Sequence, residues 1–308
     1  MAMKKAKKNK ARNTLPLMLL AFPGLLYMVI NNYIPMFGIF IAFKEMDYRK
    51  GIFGSDWVGF KNFRFLFKTN DAFVMTRNTL LYNTAFIVLG VACSVFIAIL
   101  MSEVTNMAIA KFFQAGLILP NLISMVIVSY IVYAFLNADT GFINLTVLRQ
   151  LGLPEINWYS EAAYWPFILT IVQLWKTAGY GSVVYIAFIA GIDKGIYESA
   201  RIDGAGKLKQ ITDITLPMLK PVIIVMVLIA IGRIFNSDFG LFYQVPMNSG
   251  PLYSTTQTID TYVYRALMQI NDIGMSSAAG LYQSVVGFVL VLAANAVVKK
   301  YNSEYALF

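Results

Sequence analysis

Any chemistry in this chain must come from amides, hydroxyls, aromatic rings and a few charges. Its 308 residues include no histidine and a single cysteine, Cys93. That removes Ser–His relays, haem ligation, the usual zinc sites and any intrachain disulfide. The polar groups that stand out are set within apolar runs, where a central charge costs roughly 2.5–3.5 kcal/mol on insertion scales and so faces a protein interior or an aqueous path. They are Gln173, Lys176 and Tyr180, then Arg233, Asn236 and Asp238, with Asn121 and Ser124 beside Pro120, and Gln283. Trp175, Tyr185 and Tyr243 add flat rings. Rings rimmed by amides and charges suit a pyranose, which is apolar above and below and hydroxylated at its edge. A structural alternative stays open for each residue: a hydrogen bond between helices, or a buried Arg233–Asp238 pair. The segment Asp203-Gly204-Ala205-Gly206-Lys207 has the outline of a phosphate loop, but G-x-x-x-x-G-K-[ST] requires glycine where Arg201 stands and Ser or Thr where Leu208 stands. The chain is therefore expected to bind no ATP and no other cofactor itself.

The elements that must position these groups are membrane spans. Hydrophobic residues make up 58% of the chain and charged residues 13%, against about a quarter charged in soluble domains. A span needs about 20 mostly apolar residues, and six runs qualify: Leu15–Ile41, Thr76–Met101, Phe112–Leu136, Tyr164–Ile192, Met218–Phe239 and Ser276–Val298. The fold class expected is an all-α polytopic membrane protein of six transmembrane helices. It comprises a basic tail over 1–14, a membrane domain over 15–298 with a cytoplasmic loop at 193–217, and a short tail over 299–308. Lys4, Lys5, Lys7, Lys8, Lys10 and Arg12 precede the first run, as in a signal peptide, but the run continues through Pro23 to Ile41. That is too long for a signal core, so a retained span facing anionic lipid is expected. The net charge of +9 sits largely in this tail, which argues against a nucleic-acid partner.

With the amino terminus inside, six spans place both termini in the cytoplasm. Cytoplasmic segments then hold 14 of the 25 Lys and Arg, and outer segments nine, seven of them between Lys44 and Arg77. That loop is an exception to the positive-inside tendency. Within it, Phe60, Phe63, Leu66 and Phe67 recur at helical spacing with Lys61, Arg64 and Lys68 between them. Such a segment is expected to lie flat at the membrane surface as a structural belt, or to meet an external partner.

The most specific segment lies between the fourth and fifth runs. It reads Tyr197-Glu198-Ser199-Ala200-Arg201-Ile202-Asp203-Gly204-Ala205-Gly206, and after Lys207 to Asp213, Ile214-Thr215-Leu216-Pro217. This resembles the "EAA" loop of bacterial ABC importer permeases, E-A-A-x-x-D-G-A, eight residues, then I-x-L-P; only Ser199 departs, for an alanine of similar size. Lys194–Asp203 and Lys207–Asp213 are two short helix-forming stretches, with Gly204 and Gly206 permitting a bend. Pro217 and Pro221 mark a restart into the fifth span. Helices this short are marginal alone in water and need a surface to dock on.

The resemblance implies a type I ABC importer permease fold in the bacterial cytoplasmic membrane. Glu198, Ser199, Ala200, Asp203, Gly204, Ala205, Gly206, Leu216 and Pro217 would couple to the ATPase. It also implies partners: two ATP-binding subunits that hold the ATP and magnesium, a second homologous permease (a heterodimer), and an external solute-binding protein. Asp56–Phe63, Trp175-Lys176-x-x-Gly179-Tyr180, Asn236–Tyr243 and Glu304–Phe308 look like the branch that takes up oligo- and polysaccharide fragments. A saccharide path through Gln173, Trp175, Lys176, Tyr180, Arg233, Asn236, Asp238, Tyr243 and Gln283 is then expected. The rival, an ion-coupled secondary transporter, would need an inverted repeat and intramembrane carboxylates. Neither is clear, since Asp238 and Glu103 lie near span ends. A non-transporting scaffold would leave residues 198–217 unexplained.

Overall fold

The computed structural model describes residue 16 and residues 18–301; the basic tail at 1–14 and positions 302–308 of the last tail lie outside the described residues. Helix α1, Met18–Phe43, opens the described chain. Pro35 lacks the N–H that a regular helix would use, and the backbone changes pitch around it, with a π-turn over Val29–Tyr33 followed by 3₁₀ winding over Ile34–Phe43. A two-residue antiparallel ribbon follows, β1 (Lys44–Glu45) with β2 (Asp56–Trp57), and then the short helix α2, Lys61–Lys68.

Helix α3, Asp71–Ser102, is the central pillar. The three buried cores are strung along it. Met75 packs near α1 and the last helices, Tyr82 near the middle, and Val95 and Ala98 at the far end. The third predicted run is not one straight helix. Helix α4 (Met107–Leu122) and helix α5 (Met125–Leu136) meet at 95°. Pro120 sits in the last turn of α4, and the Ser124 hydroxyl accepts from the Ile127 N–H at 3.4 Å to cap α5.

Helix α6, Trp165–Ala190, crosses beside α3 and α4. Small residues set the spacing: a Cβ on Gly179 would lie 1.9 Å from the Leu117 carbonyl oxygen, and one on Gly181 would lie 2.6 Å from Ser94 Oγ. Helix α7 (Lys194–Ile202) and helix α8 (Lys207–Ile231) follow. The expected restart at Pro217 does not occur. A π-turn over Ile211–Thr215 absorbs the missing proline N–H, and the second elbow stretch runs unbroken into the span. At its other end α8 stops at Ile231 rather than Phe239, so Arg233, Asn236 and Asp238 lie in unwound chain. Helix α9 (Ile259–Met268) and helix α10 (Ile273–Tyr301) complete the chain.

Among the described residues α1, α3, α8 and α10 are each long and apolar enough to cross a membrane, and the bent α4–α5 pair, counted as one broken span, makes up to five. Helix α6 has the length, 26 residues, but Gln173, Lys176 and Thr177 in its middle make it less apolar than the others. The chain is a mostly helical, multi-pass membrane protein.

Candidate functional site: a polar cavity and a helical elbow on one helix

Five of the nine residues expected on a solute path converge. Gln173, Tyr180, Arg233, Asn236 and Asp238 line one open cavity of about 570 Å³, together with Asn121 and Tyr185, also singled out in the sequence, and with Asn83, Ser94, Thr177 and Ser237. The unwound 232–238 stretch supplies much of the polarity, because irregular backbone at membrane depth is tolerated only where protein or water satisfies it. Here protein does so. The Asn83 amide donates to the carbonyls of Thr79 (2.9 Å), Ile234 (2.9 Å) and Asn236 (3.0 Å). Asp260, on α9, accepts from the Ser237 N–H and hydroxyl at 2.7 Å each and from Gln283 Nε2 at 3.2 Å.

Several groups in this wall keep free valence. The buried Gln173 Oε1 has no hydrogen-bond partner among the described residues. Arg233 and Asp238 do not pair: the ion pairs among the described residues are Lys50–Asp56, Lys61–Glu45 and Lys207–Glu103. Asp238 instead accepts from the Leu241 N–H at 3.0 Å, capping the next turn. An uncommitted guanidinium thus lines the cavity, as hydroxyl-rich solutes require, and the unpartnered Gln173 carbonyl is buried in the wall behind it.

The other expected path residues lie elsewhere. Lys176 donates its ammonium protons to the carbonyls of Pro120 (3.3 Å), Asn121 (3.2 Å) and Ile123, the open carboxyl end of α4. A cation there meets both unpaired carbonyls and the negative end of the helix dipole. Lys176 therefore pins the α4–α5 bend. Gln283 ties α10 to the unwound stretch, donating to the Phe235 carbonyl (3.0 Å) and to Asn236 Oδ1 (2.9 Å). Tyr243 stacks on Phe239 at 4.8 Å and meets Tyr264 edge-on at 5.0 Å. Trp175 does not line the cavity and is exposed. Asn83 was legible as an amide within the second apolar run; Asp260 carried no signal, since nothing in its sequence neighbourhood links it to Ser237.

The elbow is built from local rules. The Asp193 carboxylate accepts from the Gly195 N–H at 3.0 Å and starts α7. The helix ends in a Schellman turn: the Ala205 N–H donates to Ala200 O (2.8 Å) and the Gly204 N–H to Arg201 O (3.0 Å). Gly204 occupies the left-handed position at φ +79°. Gly206 then caps α8, and Gln210, buried, donates to the Ala205 carbonyl at 2.8 Å. Tyr197 and Thr215 share a hydroxyl hydrogen bond of 2.9 Å that ties α7 to α8, and Leu216 packs with Leu219 and Tyr185 in the third core. Glu198, Ser199, Asp203 and Pro217 are exposed, as are Ile202 (87%) and Leu208 (76%), two large apolar side chains that sequence reasoning passed over. Lys207 is ion-paired with Glu103 at the end of α3; both are largely exposed, so the pair contributes little to stability.

Helix α8 joins the two places. Its first turn belongs to the elbow, and its last turn opens into the polar cavity. At 25 residues it is about 37 Å long.

Comparison with known proteins points the same way. The family profile described as "Binding-protein-dependent transport system inner membrane component" matches residues 87–303. Protein LplB of Bacillus subtilis is 34% identical over 288 residues, covering 94% of this chain and 90% of that protein. The polygalacturonan/rhamnogalacturonan transport system permease protein YteP of the same organism is 33% identical, covering 94% and 89%. Among solved structures, a chain of a bacterial ABC transporter involved in the import of the acidic polysaccharide alginate superposes with a TM-score of 0.86 at 30% identity, covering 96% of this chain and 99% of that one. A chain of a bacterial alginate ABC transporter, in complex with an alginate pentasaccharide-bound periplasmic protein, superposes with a TM-score of 0.84 at 30% identity, covering 95% and 97%.

Proposed function

The chain belongs to the family of binding-protein-dependent transport system inner membrane components, and on that premise we propose that it passes an oligo- or polysaccharide fragment through the cavity around Asn83, Gln173 and Arg233. It is the permease subunit of an ABC importer, and a transporter component rather than an enzyme. The observation that carries the proposal is the run of α8 from elbow to cavity. In the proposed cycle, Glu198–Pro217 sits against a separate ATP-hydrolysing subunit, and exposed Ile202 and Leu208 provide the apolar contact that short helices need to dock. Closure of two such subunits moves the elbow, and α8 carries the displacement to the cavity wall. Gly204 and the Tyr197–Thr215 bond make the elbow stiff enough to transmit it.

The cavity groups would act by exchange of hydrogen bonds. Arg233 and the amides of Asn121, Asn236 and Gln173 take over hydroxyl or carboxylate contacts as the external binding protein releases its solute, and Tyr180 offers an aromatic face. A second, homologous permease would complete the opposite wall. Relatives named for polygalacturonan and alginate transport support a saccharide; no relative supports an ion-driven transporter.

Uptake into proteoliposomes holding the complete importer tests this. Accumulation of a labelled oligosaccharide should require the binding protein outside and ATP at the elbow face. Uptake driven by an ion gradient without ATP hydrolysis would overturn it. Orientation is a separate expectation, checked in intact cells of a Cys93→Ser background. Tyr48→Cys and Gly250→Cys, both at exposed positions, should react with an impermeant thiol reagent, and exposed Gly206→Cys should not. Labelling at 206 with protection at 48 would invert the topology.

A further inference from the structure

The seven cations between Lys44 and Arg77, set against four carboxylates, violate the positive-inside tendency, and the transport mechanism does not use them. Their arrangement has an order of its own. Lys61, Arg64 and Lys68 fall at i, i+3 and i+7 of α2, so they share one helical face, and all three are exposed. Lys61 pairs with Glu45 at 2.9 Å; Arg64 and Lys68 have no ion pair among the described residues.

The other side of α2 is clamped to the ends of two spans. Phe60 and Phe63 pack on Phe43, the last residue of α1, at 5.5 and 5.2 Å. Asn62 donates to the carbonyls of Ala42 and Lys44 at 3.0 Å each, and Gly274, at the start of α10, lies against the Asn62 amide. Helices α1 and α10 are the spans with the least surface buried within this chain, and α2 is fastened to the ends of both. Phe53, Trp57 and Phe60, in the segment that leads into α2, are exposed by 77%, 63% and 70%. Aromatic rings at headgroup depth next to a row of cations are complementary to phosphate above and acyl chain below.

We propose that this collar, on the membrane face opposite the elbow, binds anionic phospholipid, with Arg64 and Lys68 on the headgroup phosphate and Trp57 and Phe60 against the upper acyl chain. The positive loop is then held by the lipid it selects. A soluble external protein is the competing occupant. It is disfavoured because α2 is fastened level with the span ends and its aromatic rim continues the exposed apolar surface of α1 through Phe40 and Trp57, 6.1 Å apart.

The test uses the full chain in mixed vesicles of phosphatidylcholine and phosphatidylglycerol in which either the one lipid or the other is brominated. The difference in tryptophan emission between wild type and Trp57→Phe isolates Trp57. Quenching should report at least about fivefold enrichment of phosphatidylglycerol next to Trp57, roughly what one surface cation confers. The enrichment should vanish in high salt and in Lys61→Gln/Arg64→Gln/Lys68→Gln, and survive in Lys61→Arg/Lys68→Arg. Equal quenching by the two lipids, or a preference that persists in the triple Gln variant, overturns the proposal. So does absence of quenching by either lipid combined with a shift of Trp57 emission when purified binding protein is added.

Discussion

Gly204→Pro should reduce solute-stimulated ATP hydrolysis of the assembled importer to its basal level while leaving the spans inserted. The backbone at Gly204 has φ +79°, and proline is locked near −65°, so the Schellman turn that joins α7 to α8 cannot form. Gly204→Ala, which costs about 1–2 kcal/mol in the left-handed region, should lower the stimulation by roughly tenfold or less. Glu198→Arg gives a different kind of loss. Glu198 is exposed and makes no hydrogen bond or ion pair among the described residues, so reversing its charge should leave the permease stable and damage only docking. Stimulation near wild type in folded Gly204→Pro would remove the elbow from the mechanism.

The second large effect separates two cations that sequence reasoning grouped together. Lys176→Met should lose uptake and also lower the stability of the purified permease. Its ammonium satisfies three carbonyls at the end of α4, and bonds from a charged donor contribute about 1.5–3 kcal/mol each before the burial of the orphaned acceptors is counted. Arg233→Gln should lose uptake with assembly, melting temperature and basal ATP hydrolysis unchanged, because Arg233 is exposed to the cavity and pairs with nothing in the described chain. Melting curves alongside uptake distinguish the two. A Lys176→Met protein as stable as wild type would return Lys176 to the solute path, and a destabilised Arg233→Gln would make Arg233 structural.

The contrast shows where the sequence was legible. The membrane class, the six apolar runs and the bend at Gly204–Gly206 could be read directly, because hydrophobic length and the spacing of these glycines are local properties, whereas the restart expected at Pro217 was absorbed by a π-turn. The interruptions could not. The apolar run over Phe112–Leu136 is continuous through Ile123, and the 95° bend there depends on a lysine more than fifty residues away. The Pro120, Asn121 and Ser124 cluster was its local trace. Likewise Gly232 and Arg233 signal the end of α8, but hydropathy alone carries the run on to Phe239. Lys176 and Gln283 were found because polar groups in apolar runs are conspicuous; that they tie backbone together is set by tertiary contacts with Ile123 and Phe235, which no spacing rule reveals.

The central claim is that α8 transmits elbow movement to the cavity as a rigid element, and one distance measurement tests it most directly. Spin labels at Leu208→Cys and Asn236→Cys, in a Cys93→Ser background, report elbow and cavity rim within one chain; a label at Leu208→Cys paired with one at the corresponding elbow position of the second permease reports the separation of the two elbows. Across the ATP cycle the account predicts that the distance between elbows shortens while the 208–236 distance within the chain stays constant. A 208–236 distance that changes while the elbow separation holds still would contradict it.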